Sequence, residues 1–273
     1  MSYGIINVAL LSIRKEPQSK SELVDEDFYG RRVEILSEPN NEWYEIMTEY
    51  NYRGYVLKSS LIVEPTLVTN WNRGNKKLIV KNCADVLAVP KVQGYCLITL
   101  FKGAVIHVIS LEDENGWVCV SLCDGRTGYI KGNFLKECFA LVKESAQDYI
   151  RSELVYTAYT YLGTQYRWGG KSPLGIDCSG LTFMAYYING IIIYRDASIK
   201  EGFLIHEISR EDIKPGDLIF FPGHVAMYLG EGKYIHATAK NGSDGVVINS
   251  LVSGEVLYRE DLAETIIAVG SIF

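Results

Sequence analysis

Histidine is scarce in this chain of 273 residues: there are four, beside seven prolines and four methionines. A residue this rare is informative where two copies fall close together, as His224 and His236 do. No run of lysine and arginine occurs, and the net charge is −6. A polyanion needs a clustered basic surface, so nucleic acid is excluded as an expected partner. No apolar stretch approaches the roughly 20 residues that span a bilayer, so no membrane partner is expected. The opening MSYGIINVALLSIRKEP lacks a basic n-region and a small-residue cleavage site, and reads as a first strand. The expected location is therefore cytoplasmic. No C-x-x-C pair is present, which argues against a zinc site, and no metal or other cofactor is expected. The six cysteines (83, 96, 119, 123, 138 and 178) are read as reduced thiols in a reducing compartment.

What the chain does have is an internal repeat over residues 5–137. The first copy carries SELVDEDFYG (21–30), EWYEI (42–46) and YRGYV (52–56); the second carries GYCLITLFKG (94–103), GWVCV (116–120) and RTGYI (126–130). Short Val/Ile/Tyr-rich runs separated by Gly, Asn or Asp predict two small all-β barrels. They are expected at 1–65 and 78–138, joined by a linker at 66–77. A third domain, 139–273, is expected to be α+β. Its first helix starts near Ser145, with Ile150, Leu154, Ala158 and Leu162 on one face and a stop at Gly163. Short β runs follow Cys178, at 217–221, 225–230, 233–237, 245–251 and 266–272.

The third domain is organised around YRWGGKSPLGIDCSGL, residues 166–181. A turn-rich run delivers Cys178 to the start of an apolar helix, with Asp177 or Ser179 as the cap. Unpaired N–H groups and the helix dipole favour a thiolate at such a position. A buried structural cysteine is the plain alternative. His224 and His236 lie twelve residues apart, on strands joined by the GEGK turn. Neighbouring strands can align the two rings, one as base for Cys178 and the other as its orienter. Either histidine alone would be read as a core residue.

Tyr166, Trp168, Gly169-Gly170, Asp177-Cys178-Ser179-Gly180, Pro215-Gly216-Asp217-Leu218, Gly223-His224-Val225 and His236-Ala237 together resemble the NlpC-type cell-wall peptidases. The resemblance covers roughly residues 144–273, and the upstream repeat is similar to paired bacterial SH3-like barrels. It implies a papain-like cysteine peptidase fold after the two barrels. It further implies Cys178 as nucleophile, His224 as base and His236 as orienter, with the Cys178 N–H and the Tyr166 hydroxyl at the oxyanion.

Relatives with this arrangement resemble γ-D-glutamyl-L-diamino-acid endopeptidases. The implied partner is a small murein peptide, L-Ala-γ-D-Glu-diamino acid, with a free L-Ala amine and either meso-diaminopimelate or Lys as the diamino acid. The resemblance implies that Asp177 binds the L-Ala ammonium, that Ser179 contacts the D-Glu unit and that Trp168 forms a pocket wall. From the first barrel, Glu22 with Tyr52 or Tyr55 are the candidates that complete the ammonium pocket; a solvated loop charge and barrel core are the competing readings. Arg195, Asp196 and Ser198 form a loop cluster that could hold the D-Glu α-carboxylate, with an ordinary solvated polar loop as the equal alternative. The expected role is recycling of murein peptides. The alternatives are a secreted hydrolase of intact wall, an N-acetylmuramoyl-L-alanine amidase and a binding module without catalysis.

Overall fold

The computed structural model describes residues 2–138 and 147–273. They fall into two compact units, 1–138 and 139–273. In the first unit, β1 (Ser2–Ile6), β2 (Leu10–Arg14), β3 (Leu23–Phe28), β4 (Arg32–Ser37), β5 (Trp43–Thr48), β6 (Arg53–Leu57) and β7 (Leu61–Ile62) form an antiparallel sheet in the order β3-β2-β6-β5-β4-β1-β7. Alternate residues turn inward, so Ile6, Leu11, Ile13, Val33, Ile46 and Val56 fill one core. The second sheet has β8 (Lys76–Ile79), β9 (Cys83–Leu87), β10 (Cys96–Phe101), β11 (Val105–Val108), β12 (Trp117–Ser121), β13 (Thr127–Lys131) and β14 (Leu135–Glu137). Its order, β10-β9-β13-β12-β11-β8-β14, is that of the first sheet strand for strand. The sequence repeat is thus a repeat of topology.

The expected linker is mostly a helix, α1 (Pro65–Arg73), and its last two residues already belong to β8. Pro65 sits at the first turn, and the Glu64 carboxylate accepts from the N–H groups of Thr66 and Leu67, a complete N-cap. The buried Trp71 explains why this segment is ordered. Its indole N–H donates to Gly30 O at 2.8 Å, and its ring stacks on His107 with centroids 3.9 Å apart. Gly30 lies at φ +77°, and a Cβ there would come within 2.2 Å of Val105 O, so the two barrels meet through glycine backbone. The Tyr29 hydroxyl accepts from Cys123 N at 2.7 Å, and Arg31 Nε donates to Gly103 O at 3.1 Å across the same seam.

The second unit holds α2 (Gln147–Tyr159), the hairpin β15 (Lys171–Ser172) and β16 (Gly175–Ile176), and α3 (Cys178–Tyr187). A six-stranded antiparallel sheet and a short helix, α4 (Glu260–Ala263), complete it. The strands are β17 (His206–Glu207), β18 (Leu218–Phe221), β19 (His224–Gly230), β20 (Lys233–Thr238), β21 (Gly245–Ser250) and β22 (Ala268–Ser271), in the order β17-β22-β18-β19-β20-β21. The expected helix start near Ser145 lies outside the described residues. Its expected end at Gly163 comes early: α2 stops at Tyr159, and Leu162 is exposed in the turn beyond. Ile150, Leu154 and Ala158 are buried as the spacing predicts. Every residue of α3 is buried, as befits a helix apolar on all sides that packs on α2, β19 and β20.

Asp217 of the PGDL motif is wholly buried and structural. Its carboxylate accepts from Arg151 at 2.8 Å, from the Ser271 hydroxyl at 2.6 Å and from Lys214 N at 2.8 Å. Tyr186 of α3 donates to the Gly216 carbonyl at 2.6 Å, so the motif ties α2, α3 and the sheet together. All six cysteines are free thiols. No described helix is long and apolar enough to cross a membrane.

Candidate active site

Asp177 is the N-cap of α3, its side chain accepting from Gly180 N at 2.6 Å. Cys178 is therefore the first helical residue, only 7% exposed. The glycines around it are a packing requirement: a Cβ on Gly180 would lie 2.2 Å from Gly170 O. Main-chain N–H groups of Val225 and Ser179 point at the Cys178 sulfur and favour the thiolate, but burial outweighs them. Burial, reinforced by the Asp177 charge, pushes the thiol up to about 11. The free site holds a protonated thiol, contrary to the expectation from the helix terminus alone.

Val225 follows His224 directly, so the strand whose N–H reaches the sulfur is the strand that begins with the first histidine. Phe221 pairs with His224 across the tight β18–β19 hairpin, and Tyr234 pairs with both Tyr228 and Asn249. Strand alternation then sets His224, His236 and Asn249 on one face of three successive strands. His224 Nε2 lies 2.7 Å from His236 Nδ1, and His236 Nε2 lies 2.9 Å from Asn249 Oδ1. Burial, with His236 alongside, lowers His224 to about 3; burial lowers His236 to about 4 despite the hydrogen bond it donates to Asn249 Oδ1. Both rings are neutral near neutral pH, so His224 keeps a bare ring nitrogen that can take a proton, while burial makes it a weaker base than a free imidazole. Asn249 has no part in the sequence reading. It belongs to no motif, and only the register of β20 on β21 brings it to the histidines.

Burial above all, with the negative charge of Asp177 adding to it, raises the Tyr166 phenol, so the hydroxyl stays protonated as a donor must. Trp168 is 61% exposed, on the turn before the nucleophile. Ser179 is buried, and its hydroxyl is taken by Asp177 at 3.2 Å and by Arg195 at 2.8 Å. Both oxygens of Asp177 accept from Arg195, each at 3.1 Å, so the acid expected to hold an ammonium is first of all a cap and an ion-pair partner. Arg195 itself corrects an expectation. At 1% exposure, with its guanidinium spent on Asp177, Ser179 and Gly170 O, it is not displayed to a ligand carboxylate. Ser198 is exposed and lines a pocket with Asp196, Lys200, Thr182 and Val225, the last two lying on the elements that carry Cys178 and His224.

Glu22, Tyr52 and Tyr55 belong to the first unit. Glu22 is exposed and pairs with Lys15 at 3.2 Å. The Tyr52 hydroxyl donates to Val24 O at 3.3 Å, and the Tyr55 hydroxyl to Glu45 at 3.3 Å. Both rings are half-buried, so neither is simple barrel core.

The arrangement can carry a proton away from a buried thiol and steady the ring that takes it. Comparison with known proteins agrees with that chemistry. Residues 163–260 match the NlpC/P60 family, residues 9–62 the bacterial SH3 domain and residues 80–138 a variant SH3 domain. A protein of Lysinibacillus sphaericus named dipeptidyl-peptidase 6 is 42% identical over 99% of both chains. A gamma-D-glutamyl-L-lysine dipeptidyl-peptidase of Bacillus subtilis is 33% identical over 56% of this chain and 50% of its own. The crystal structure of an NlpC/P60 family protein from Bacillus cereus superposes with a TM-score of 0.79 over 98% of both chains, at 21% identity, a likeness of fold. The chain belongs to the NlpC/P60 family of cysteine peptidases, with two SH3 domains preceding its catalytic domain.

Proposed function

We propose that this protein hydrolyses the amide between the D-Glu side-chain carboxyl and a diamino acid, lysine or meso-diaminopimelate, in free murein peptides that begin with an unblocked L-Ala. The observation that carries the chemistry is the line His224–His236–Asn249 beside a cysteine at the start of a buried helix. The substrate rests on the names of relatives, a dipeptidyl-peptidase and a gamma-D-glutamyl-L-lysine dipeptidyl-peptidase. Release of a dipeptide is what such names describe.

The reaction starts from the neutral pair. As the Cys178 sulfur bonds to the amide carbon, its proton passes to His224, and the carbonyl oxygen takes the negative charge. The Cys178 N–H, unused within the first turn of α3, and the Tyr166 hydroxyl donate to that oxygen; loss of one such donor costs a factor of about 10² to 10³. The C–N bond breaks as His224 returns the proton to the leaving amine. Water, deprotonated by His224, attacks the thioester; the acid leaves and the sulfur regains its proton. His236 bonds to His224 throughout and steadies the transient imidazolium. Asp177, locked by Arg195, holds Ser179 and caps the helix; its Oδ2, which accepts from Arg195, is the oxygen an L-Ala ammonium would share. Trp168 walls the cleft, and the pocket beside Ser198 takes a polar end of the acyl part. A peptide with a free amine is already detached from glycan, so the preferred role is recycling in the cytoplasm.

The test is mass spectrometry of products from L-Ala-γ-D-Glu-meso-diaminopimelate, its lysine counterpart and their N-acetylated twins, with wild type and Cys178→Ala in parallel. Cleavage of the free peptides alone, lost in the variant, is the expected result. Equal cleavage of the acetylated twins discards the free-amine requirement and moves the protein towards hydrolysis of intact wall. Release of muramic acid from muramoyl peptides, with the γ-glutamyl bond intact, would replace the peptidase by an amidase.

A further inference from the structure

We infer that Asn249 is a positioning residue that sets the proton direction of the whole histidine line, and that the main-chain carbonyl of Leu257 is the fixed end from which that direction is set. The inference deepens the reaction proposed above and rests on His224 being its base.

The argument needs only the rules of donors and acceptors. A backbone carbonyl accepts and never donates. Asn249 Nδ2 lies 3.0 Å from Leu257 O, so this end of the amide is the NH₂ and the other end is the carbonyl oxygen. Turning the amide over would set two oxygens against each other. Asn249 Oδ1 therefore faces His236 Nε2 as an acceptor, and His236 Nε2 must carry a hydrogen. In a neutral ring His236 Nδ1 is then bare, so at 2.7 Å it accepts from His224 Nε2–H. The last bare nitrogen is His224 Nδ1, which is the base. Four groups in series thus leave one tautomer for each ring. Leu257 O also accepts from Ser250 N at 2.8 Å, so the fixed end is pinned to the strand after Asn249.

The same geometry explains why this position suits asparagine better than an acid. Aspartate would keep the acceptor for His236 but set an oxygen against Leu257 O and bring a negative charge to the ring pair. The charged groups already facing the pair are Arg259 and Asp261, which bind each other at 2.7 Å; Tyr234 lies edge-on to His236 at 5.0 Å. A neutral amide leaves the rings uncharged and orders their protons.

The first experiment reads tautomers without substrate, by long-range ¹H–¹⁵N NMR of full-length protein labelled at histidine. For wild type near neutral pH, both His224 and His236 are expected as the Nε2–H form. A proton on Nδ1 of His224 overturns the inference, whatever the substrate proves to be. Asn249→Leu removes the acceptor and releases the choice of tautomer; kcat is expected to fall about a hundredfold with KM little changed. Asn249→Asp is expected to keep the Nε2–H forms and move the acid limb of kcat/KM upward by about one pH unit or more, because a negative charge favours imidazolium. Wild-type tautomers and wild-type kcat in Asn249→Leu, or an unmoved acid limb in Asn249→Asp, each overturn it. No turnover of any murein peptide by wild type, with the expected tautomers present, would remove the proposed substrate and leave the proton line standing.

Discussion

At the scale of single residues, the site is built from buried polar groups that satisfy one another. Asp177 caps α3, pairs with Arg195 and holds Ser179, so one carboxylate orients three neighbours of the nucleophile. Removing one partner of a buried pair leaves the other charge without compensation, which typically costs about 3–5 kcal/mol. Arg195→Ala is therefore expected to lower the stability of the second unit by that order in urea titration, and to reduce kcat by loosening the start of α3. Arg195→Lys should recover little, because a point charge cannot replace a fork that reaches Asp177, Ser179 and Gly170 O at once. A ligand-binding arginine would behave differently: its loss would raise KM and leave the urea midpoint alone.

At the scale of elements, α1 is the part whose character differs most from expectation. Asn, Arg and Lys around residues 70–77 read as a polar connection, yet one side of the helix carries Val68 and Trp71 into a buried seam. A single tryptophan makes little periodicity signal over so short a helix, and its partners, Gly30 and His107, come from two different barrels. Trp71→Ala is expected to cost about 3–5 kcal/mol. Trp71→Phe, which keeps a ring against His107 but loses the bond to Gly30 O, should cost clearly less. Urea titration followed by hydrogen exchange at the N–H groups that cross the seam, those of Cys123 and Val105, measures both. Equal and small losses for the two variants would show that the seam is held by other contacts.

At the scale of the whole molecule, the histidines link folding to pH. His107, His224 and His236 all lie below the ordinary imidazole value, chiefly through burial, the last two at about 3 and about 4. Their folded values are lower than the unfolded one of about 6.5, so the unfolded chain binds protons first as pH drops. Stability is then full above about pH 6.5 and declines down to about pH 3, by at most about 1.4 kcal/mol per pH unit for each histidine. The urea midpoint is expected to fall between about pH 7 and pH 5; a flat midpoint over that range contradicts the burial that makes His224 a neutral base. Much of this molecule was nevertheless legible in the sequence. Turn residues and alternating runs determined two repeated β-barrels, and the Asp177-Cys178-Ser179-Gly180 turn with the paired histidines pointed to a nucleophile and its proton acceptor. Such signals are local, and each needs only neighbours along the chain. Tertiary structure alone decided that Arg195 is an internal strut rather than a ligand contact, that α1 is packed rather than free, and that Asn249 ends the histidine line. Each of these depends on partners more than ten residues away in sequence, where register and packing, and not local pattern, determine which groups meet.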